Sequence, residues 1–302
     1  MSTSDYRTFA KRILPLHIVR SLREFFRRIG FIIQVARQIR GERPEDRKVL
    51  NRFLFTSIFS AMNDLDIWRD PPLPEDALVS AKGLGKFLIR GDTDDLAHAL
   101  PSNYAEIFEL IRAHVDTGDA VIDAGANIGA VSVYLGNTVG PSGHVVAVEM
   151  MPETAERLRR NIKYNSLDQV VVREAALSKE EGRTVIAHVP PHFHGQASIA
   201  AGDRGGRATS SAEVRTTTLD AIASELGEIA FIKLDLEGAE LAALQGASST
   251  LQRSRCILFE TWVEGGGSVT ELLNDAGFEV RALDKRNLVA LRRGTQRQIA
   301  KG

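Results

Sequence analysis

The chain has 302 residues, 43% hydrophobic and 25% charged, enough to build a large core around one main domain with an extension. Its formal net charge of −1 sets up no global field, so nucleic acid is not an expected partner. The single cysteine, Cys256, excludes an intrachain disulfide framework and a cysteine-rich zinc site; no apolar run reaches spanning length and no secretory signal precedes the first domain, so the expected location is cytoplasmic.

Charge is unevenly spread. Residues 1–50 carry twelve Lys and Arg against five acids, a balance of +7 that leaves about −8 elsewhere. In this arm Leu22, Phe25, Phe26, Ile29, Ile33 and Ala36 recur at helical spacing, with Arg20, Arg23 and Arg27 largely off the stripe. One reading lays residues 1–40 against an anionic membrane surface or a partner, peripherally. The preferred reading packs the stripe on the main domain or on a second subunit. An Arg-rich transit segment is less favoured, because the pattern runs on without a cleavage signal.

Residues 51–118 read as a cap. A second amphipathic helix over 51–65 stops before Asp70-Pro71-Pro72-Leu73-Pro74, which is too rich in proline to continue it. A hairpin is expected over 78–89, broken at Gly83 and Gly85. A helix over 104–115 follows, with Tyr104, Ile107, Phe108, Ile111 and Val115 on one face. Pro101 to Tyr104 would border an entrance.

Residues 119–294 alternate strands and helices, the pattern of a doubly wound α/β domain with a mostly parallel sheet, and 295–302 form a tail. The first strand, Ala120-Val121-Ile122, ends at Asp123, and Gly125-Ala126-Asn127-Ile128-Gly129 opens a helix. Gly125 is expected to let the backbone approach a ligand, and Gly129 to let the helix pack closely. An acid before the first glycine would repel a pyrophosphate but suits a cofactor bearing an amino group or a sulfonium. S-adenosylmethionine (SAM) carries both.

The second strand, 144–149, presents Glu149 at its carboxyl end, where an acid can accept two ribose hydroxyls. Met150 follows, and Pro152 starts a helix. The third strand ends at Glu174 and runs into Ala175-Ala176, the expected surroundings of an adenine. Residues 182–219 suggest an inserted hairpin and loop, where acceptor specificity often resides. Then Phe231, Lys233 and Asp235 alternate onto one face of an apolar strand that ends in Leu236-Glu237-Gly238. A lysine inside a buried strand requires a partner, and Glu260 on the next strand is one candidate. A terminal hairpin over 278–283 and 288–292 closes the domain with an antiparallel strand.

Val121 through Gly129, Val146-Ala147-Val148-Glu149 with Pro152, Ala175-Ala176-Leu177-Ser178, Thr218-Leu219-Asp220 and Phe231 through Glu240 with Gly246-Ala247 together resemble the FkbM-type methyltransferases. The similarity covers roughly residues 100–285, and the Lys-x-Asp-x-Glu-Gly-Ala-Glu block is its most specific part. The resemblance implies a Rossmann-like sheet of seven strands with the last antiparallel, SAM as cofactor, and O-methylation of sugars, polyketides and other natural products. It covers neither the basic arm nor the identity of the acceptor. Met150 departs from the more usual polar residue after the acid.

The expected cofactor residues are Asp123, Gly125, Ala126, Asn127, Gly129, Glu149, Met150, Glu174, Ala175, Ala176 and Asp235. Methyl transfer to a hydroxyl also needs alignment and a base. Candidate catalytic groups are Lys233, Asp235, Glu237, and His192 and His194 in the inserted loop; the histidine pair with nearby carboxylates could instead hold a divalent metal, but its spacing is uninformative and no metal ligand set is assigned. The expected acceptor is a small molecule or glycan. Two alternatives remain open at this level: a non-catalytic or membrane-recruited scaffold of the same fold, and an NAD-dependent oxidoreductase.

Overall fold

Residues 16–63, 70–189, 210–261 and 264–294 are described by the structure, a computed structural model. Helix α1 (Leu16–Gln38) leads into β1 (Ile39–Gly41), and α2 (Pro44–Asn63) follows after a short turn. The second helix starts earlier than expected. Pro44 has the fixed φ that suits a first helical position, and Glu45 and Asp46 add favourable charge to the first turn. Asp46 accepts the backbone amides of Arg43 and Leu78, each at 3.0 Å, which ties α2 to the following strand.

The hairpin forms as β2 (Ala77–Ala81) and β3 (Gly85–Ile89), and β1 pairs antiparallel with β2 to make a small three-stranded sheet. Helix α3 (Asp95–His98), a 3-10 turn (Pro101–Tyr104) and α4 (Ala105–His114) complete the N-terminal layers. Phe31, Val35, Phe53, Phe87, Ile89 and Ile111 from these elements share one buried cluster with Val133 and Phe231 of the main domain. Burial of this kind, at roughly 25 cal/mol per Å², welds the cap to the sheet.

The face of α1 that packs is not the expected one. Phe31, Ile32 and Val35 turn inward, with exposures of 6%, 6% and 0%, whereas Leu22, Phe26 and Ile33 are exposed. The helix is apolar on two sides, and the side with the bulkier C-terminal half won the core.

The main sheet runs β4 (Ala120–Ala124), α5 (Ala130–Val139), β5 (His144–Glu149), α6 (Pro152–Tyr164) and β6 (Val170–Glu174) on one side. After the short β7 (Ala176–Leu177), the inserted hairpin consists of β8 (Thr184–Val189) and β9 (Ser210–Thr217), antiparallel to each other. Helix α7 (Leu219–Ile222), β10 (Ile229–Leu234), α8 (Glu240–Gln245), α9 (Ser248–Gln252), β11 (Ser254–Glu260), α10 (Gly267–Asp275), β12 (Phe278–Ala282) and β13 (Asn287–Arg292) follow. The order across the sheet is β12-β13-β11-β10-β4-β5-β6. Only β13 runs against its neighbours, inserted between β11 and β12. This is the seven-stranded, mostly parallel sheet with its last strand antiparallel that the resemblance implied. Strands β4 and β10 lie at its centre, buried throughout or nearly so, and their carboxyl ends face the cap.

Candidate active site

A cavity of about 700 Å³ opens at the carboxyl ends of β4, β5 and β10. Its floor is the loop Gly125–Gly129 with Glu149, Met150, Ala175 and Ala176 beside it. The loop is held by its own protein. The amides of Gly125 and Ala126 both donate to the Val148 carbonyl, Asn127 N donates to Glu149 Oε2 at 3.0 Å, and Gly129 N donates to the Ala126 carbonyl. These amides are spent internally, so the loop is not built as a phosphate cradle. Glu149 Oε1 takes the Met151 amide at 2.9 Å, while burial pushes the carboxyl above its ordinary range. Asn127 Oδ1 is buried without a hydrogen-bond partner, an acceptor in the cavity wall suited to an amino or hydroxyl donor.

The two glycines serve the packing of the protein itself. A Cβ on Gly125, at φ +78°, would come within 1.8 Å of the Asp235 carbonyl. On Gly129, at φ +97°, it would meet Leu158 of α6 at 2.5 Å. Gly125 therefore allows the end of β4 to close against the end of β10, and it also lines the cavity.

Lys233 is the hub of the charged groups. Its Nζ lies 3.2 Å from Asp235 Oδ2 and 3.5 Å from Asp123 Oδ1, and donates to the Gly125 carbonyl at 3.1 Å. Burial works against the ammonium, but Asp235 and Asp123 outweigh it and hold Lys233 firmly charged. The expected Glu260 partner is not the one it takes. Glu260 instead shares a hydrogen bond with Asp235 and has Arg286 Nη1 at 3.7 Å. Burial and the Asp235 charge raise Glu260 to about 8, whereas Lys233 and the Glu260 hydrogen bond outweigh burial to hold Asp235 below the usual carboxylate range. At neutral pH the pair thus holds one proton, on Glu260. Glu237 joins them, the three carboxylates having oxygens within 4.8 Å of one another. Glu237 sits at φ +51° in a turn clamped by Glu240, whose Oε1 accepts the amides of Leu236 and Gly238.

The cap supplies the opposite wall with His98, Asn103, Tyr104 and Ile107. His98 bridges two neighbours, Nε2 lying 3.4 Å from Asp94 Oδ2 and Nδ1 3.4 Å from Tyr104 Oη. Burial opposes its protonation, yet Asp94 outweighs burial and raises the imidazole above its ordinary value. Burial also raises the Tyr104 phenol, which stays neutral. The Tyr104 ring stacks on Phe108, which stacks on Tyr134 of α5 with centroids 3.9 Å apart.

Of the residues expected from sequence, Gly125, Ala126, Asn127, Gly129, Glu149, Met150, Ala175, Ala176, Lys233, Asp235 and Glu237 line this one cavity. Asp123 does not. It is 0% exposed behind the loop, where it accepts Ser132 Oγ at 2.6 Å and reaches the cavity only through Lys233. Glu174 does not line the cavity and pairs instead with Arg159 of α6 at 3.0 Å. His192 and His194 lie outside the described residues. Sequence reasoning missed Asp94, His98 and the Asp284–Asn287 loop, and it treated Glu260 only as a lysine partner. The four-residue step from Asp94 to His98 on a helix was the available signal.

The profile of the "Methyltransferase FkbM domain" matches residues 123–280, a little over half of the chain. The methyltransferase sdnD of Sordaria araneosa is 26% identical over 212 residues, covering 59% of this chain and 81% of that protein. Among solved structures, methyltransferase FkbM from Methylobacillus flagellatus is 16% identical with a TM-score of 0.41, covering 65% of this chain and 52% of its own. A SAM-dependent O-methyltransferase from Thermotoga maritima is 15% identical with a TM-score of 0.42, covering 76% of this chain and 81% of its own. The profile match takes in the Gly125–Gly129 loop, Glu149 and the whole Lys233–Glu240 block; the chain belongs to the FkbM family of methyltransferases and uses S-adenosylmethionine as its methyl donor.

Proposed function

We propose that the chain methylates a hydroxyl oxygen on a sugar, glycan, glycolipid or other natural product. The observation that carries this reading is the ionised Asp235 beside the protonated Glu260, in the same cavity as the cofactor loop. The one Glu260 proton is taken up in the hydrogen bond to Asp235, so what the pair offers a hydroxyl group is an acceptor, the Asp235 carboxylate.

Bound SAM would supply an electrophilic methyl group, its sulfur leaving as the neutral thioether when the acceptor oxygen takes the methyl. Glu149 and Asn127, which line the cavity, would hold its polar groups, and Met150, Ala175 and Ala176 would cover its base. Asp235 orients the acceptor hydroxyl, and Lys233 keeps Asp235 ionised and fixed. A carboxylate held below its usual range is a weak base, whereas an imidazole raised above its ordinary value is a stronger one. His98 is therefore the proton acceptor in this reading. Asp94 sets its tautomer by taking the Nε2 proton, leaving Nδ1 free to receive a proton through Tyr104 or directly.

The test is incubation of the protein with methyl-labelled SAM and a panel of sugars, glycolipids and hydroxylated natural products. The expected product is heavier by one methyl group, placed on oxygen by fragmentation. Methylation on nitrogen or carbon would overturn the reading, as would SAM binding without turnover on every acceptor.

A further inference from the structure

Helix α1 shows solvent a stripe that the core does not use. Leu22, Phe26 and Ile33 are 45%, 66% and 44% exposed. At 3.6 residues per turn they fall with Ile29 and Ala36 within an arc of about 80°. Arg23 and Arg37, both exposed, flank that arc on one side, and Arg27 lies just beyond, paired with Glu24 and Asp70. The helix thus presents an apolar ridge with a basic shoulder, inside a segment of twelve basic and five acidic residues.

We propose that this face of α1 lies on an anionic lipid surface. Charge decides between the occupants. The ridge steps alternately by four and three residues, so a second copy of the helix could also seat there. Self-pairing, however, would bring each +7 segment against its own like charge. Three exposed large side chains also fall far short of the roughly 800 Å² per partner that a standard protein interface buries. A bilayer needs neither that area nor a matching shape: shallow insertion of Phe26 and its neighbours suffices while arginines meet the headgroups. None of the helices among the described residues is long and apolar enough to cross a membrane, so α1 lies along the surface.

The helix is also coupled to the cavity. At its C-terminal end, Gln38 makes two hydrogen bonds with Ser102, donating from Nε2 to the hydroxyl and accepting the amide, each at 3.1 Å. Ser102 belongs to the 3-10 turn that carries Asn103 and Tyr104 into the cavity wall. A membrane-seated α1 therefore holds the cavity at a fixed height above the lipid.

The test is co-sedimentation of the full chain with vesicles of phosphatidylcholine alone and of phosphatidylcholine with a quarter phosphatidylglycerol. Binding is expected on the mixed vesicles at low salt and should fall about tenfold or more at 0.5 M salt. Phe26→Asp with Ile33→Asp should abolish sedimentation while leaving the melting temperature and SAM affinity unchanged, since both side chains are exposed. Arg23→Gln with Arg37→Gln should weaken binding and its salt dependence without removing the ridge. Absence of binding to the mixed vesicles would overturn the proposal, and so would full binding by the Phe26→Asp, Ile33→Asp variant. A dimer in solution that this variant converts to monomer would assign the ridge to a second copy instead.

Discussion

Arg90 grips Asp95 inside the protein by two parallel hydrogen bonds, Nε to Oδ2 and Nη2 to Oδ1, each 2.8 Å long. The Arg90 guanidinium also donates to Thr154 of α6 at 3.2 Å, so one side chain locks α3 to the main domain. Asp95 is 0% exposed and Arg90 4%. Asp95→Ala would strand the guanidinium in the interior, and a loss of about 3–5 kcal/mol in folding stability is expected by urea denaturation. Because α3 carries His98, catalytic turnover should fall even where the variant remains folded.

Lys233 gives a second stability prediction. Lys233→Met fits the volume but leaves Asp123 and Asp235 without their cation. Unfolding should become easier by several kcal/mol at pH 7, on the order of the 3–5 kcal/mol seen when one half of a buried pair is removed. Acidification should restore part of that loss, as the stranded carboxylates take up protons. A denaturation midpoint equal to the parent's would show that the pair contributes nothing.

Glu260 sets a pH dependence. Its folded pKa of about 8 lies above the ordinary glutamate value of 4.5, so the folded state holds the proton more tightly than the unfolded chain. The stabilisation it gives is full below pH 4.5 and is lost as pH rises towards 8. Glu260→Gln, which keeps the hydrogen bond to Asp235 without a titrating proton, should flatten stability across that window. Thermal melts of parent and variant from pH 5 to 9 would show the difference.

For His98, the groups that face it are Asp94, Asp95, Tyr104 and Asp235, and Asp94 dominates the upward shift. Turnover should therefore decline on acidification through a pKa above the ordinary histidine value, as the imidazole becomes protonated and ceases to accept. Asp94→Asn should move this acid limb to lower pH. His98→Asn should cut kcat by about 100-fold while SAM affinity stays within a few-fold. A pH–rate profile unmoved by Asp94→Asn would remove His98 from the reaction.

Glu149→Ala frees the Asn127 and Met151 amides and removes a carboxylate from the cavity wall. Calorimetry should show SAM binding weakened by about ten- to a hundred-fold, as expected for charge-assisted hydrogen bonds of 1.5–3 kcal/mol. Asp123→Ala should also weaken binding, but through displacement of Lys233 and Ser132, with a clear fall in melting temperature alongside.

The patterns legible in the sequence are those contained in one strand and the turn after it. The β4 loop, Glu149 and the Lys233–Glu237 block each follow that rule, and they meet because parallel strands present their carboxyl ends together. What a strand-end acid faces was less legible: Asp123 and Glu149 occupy equivalent places, yet one lies behind the loop and the other in the cavity wall. Glu260 acquires its role from Asp235 on another strand, so no local pattern marks it, whereas His98 was marked only by the four-residue step from Asp94. Helix α1 carries apolar residues on two faces, and periodicity alone does not say which face meets the core.

The position of β13 has a consequence for how the polypeptide is made. As the last of this sheet's strands in chain order, it must enter between β12 and β11 before the sheet is whole. Until residue 292 emerges, β11 keeps an open hydrogen-bonding edge, and the Asp284–Asn287 rim of the cavity is missing or unanchored. Nascent chains are thus exposed to mispairing from the emergence of residue 260 until that of residue 292, and a stop codon shortly before β13 would yield a sticky, inactive product where loss of a few surface residues would be harmless.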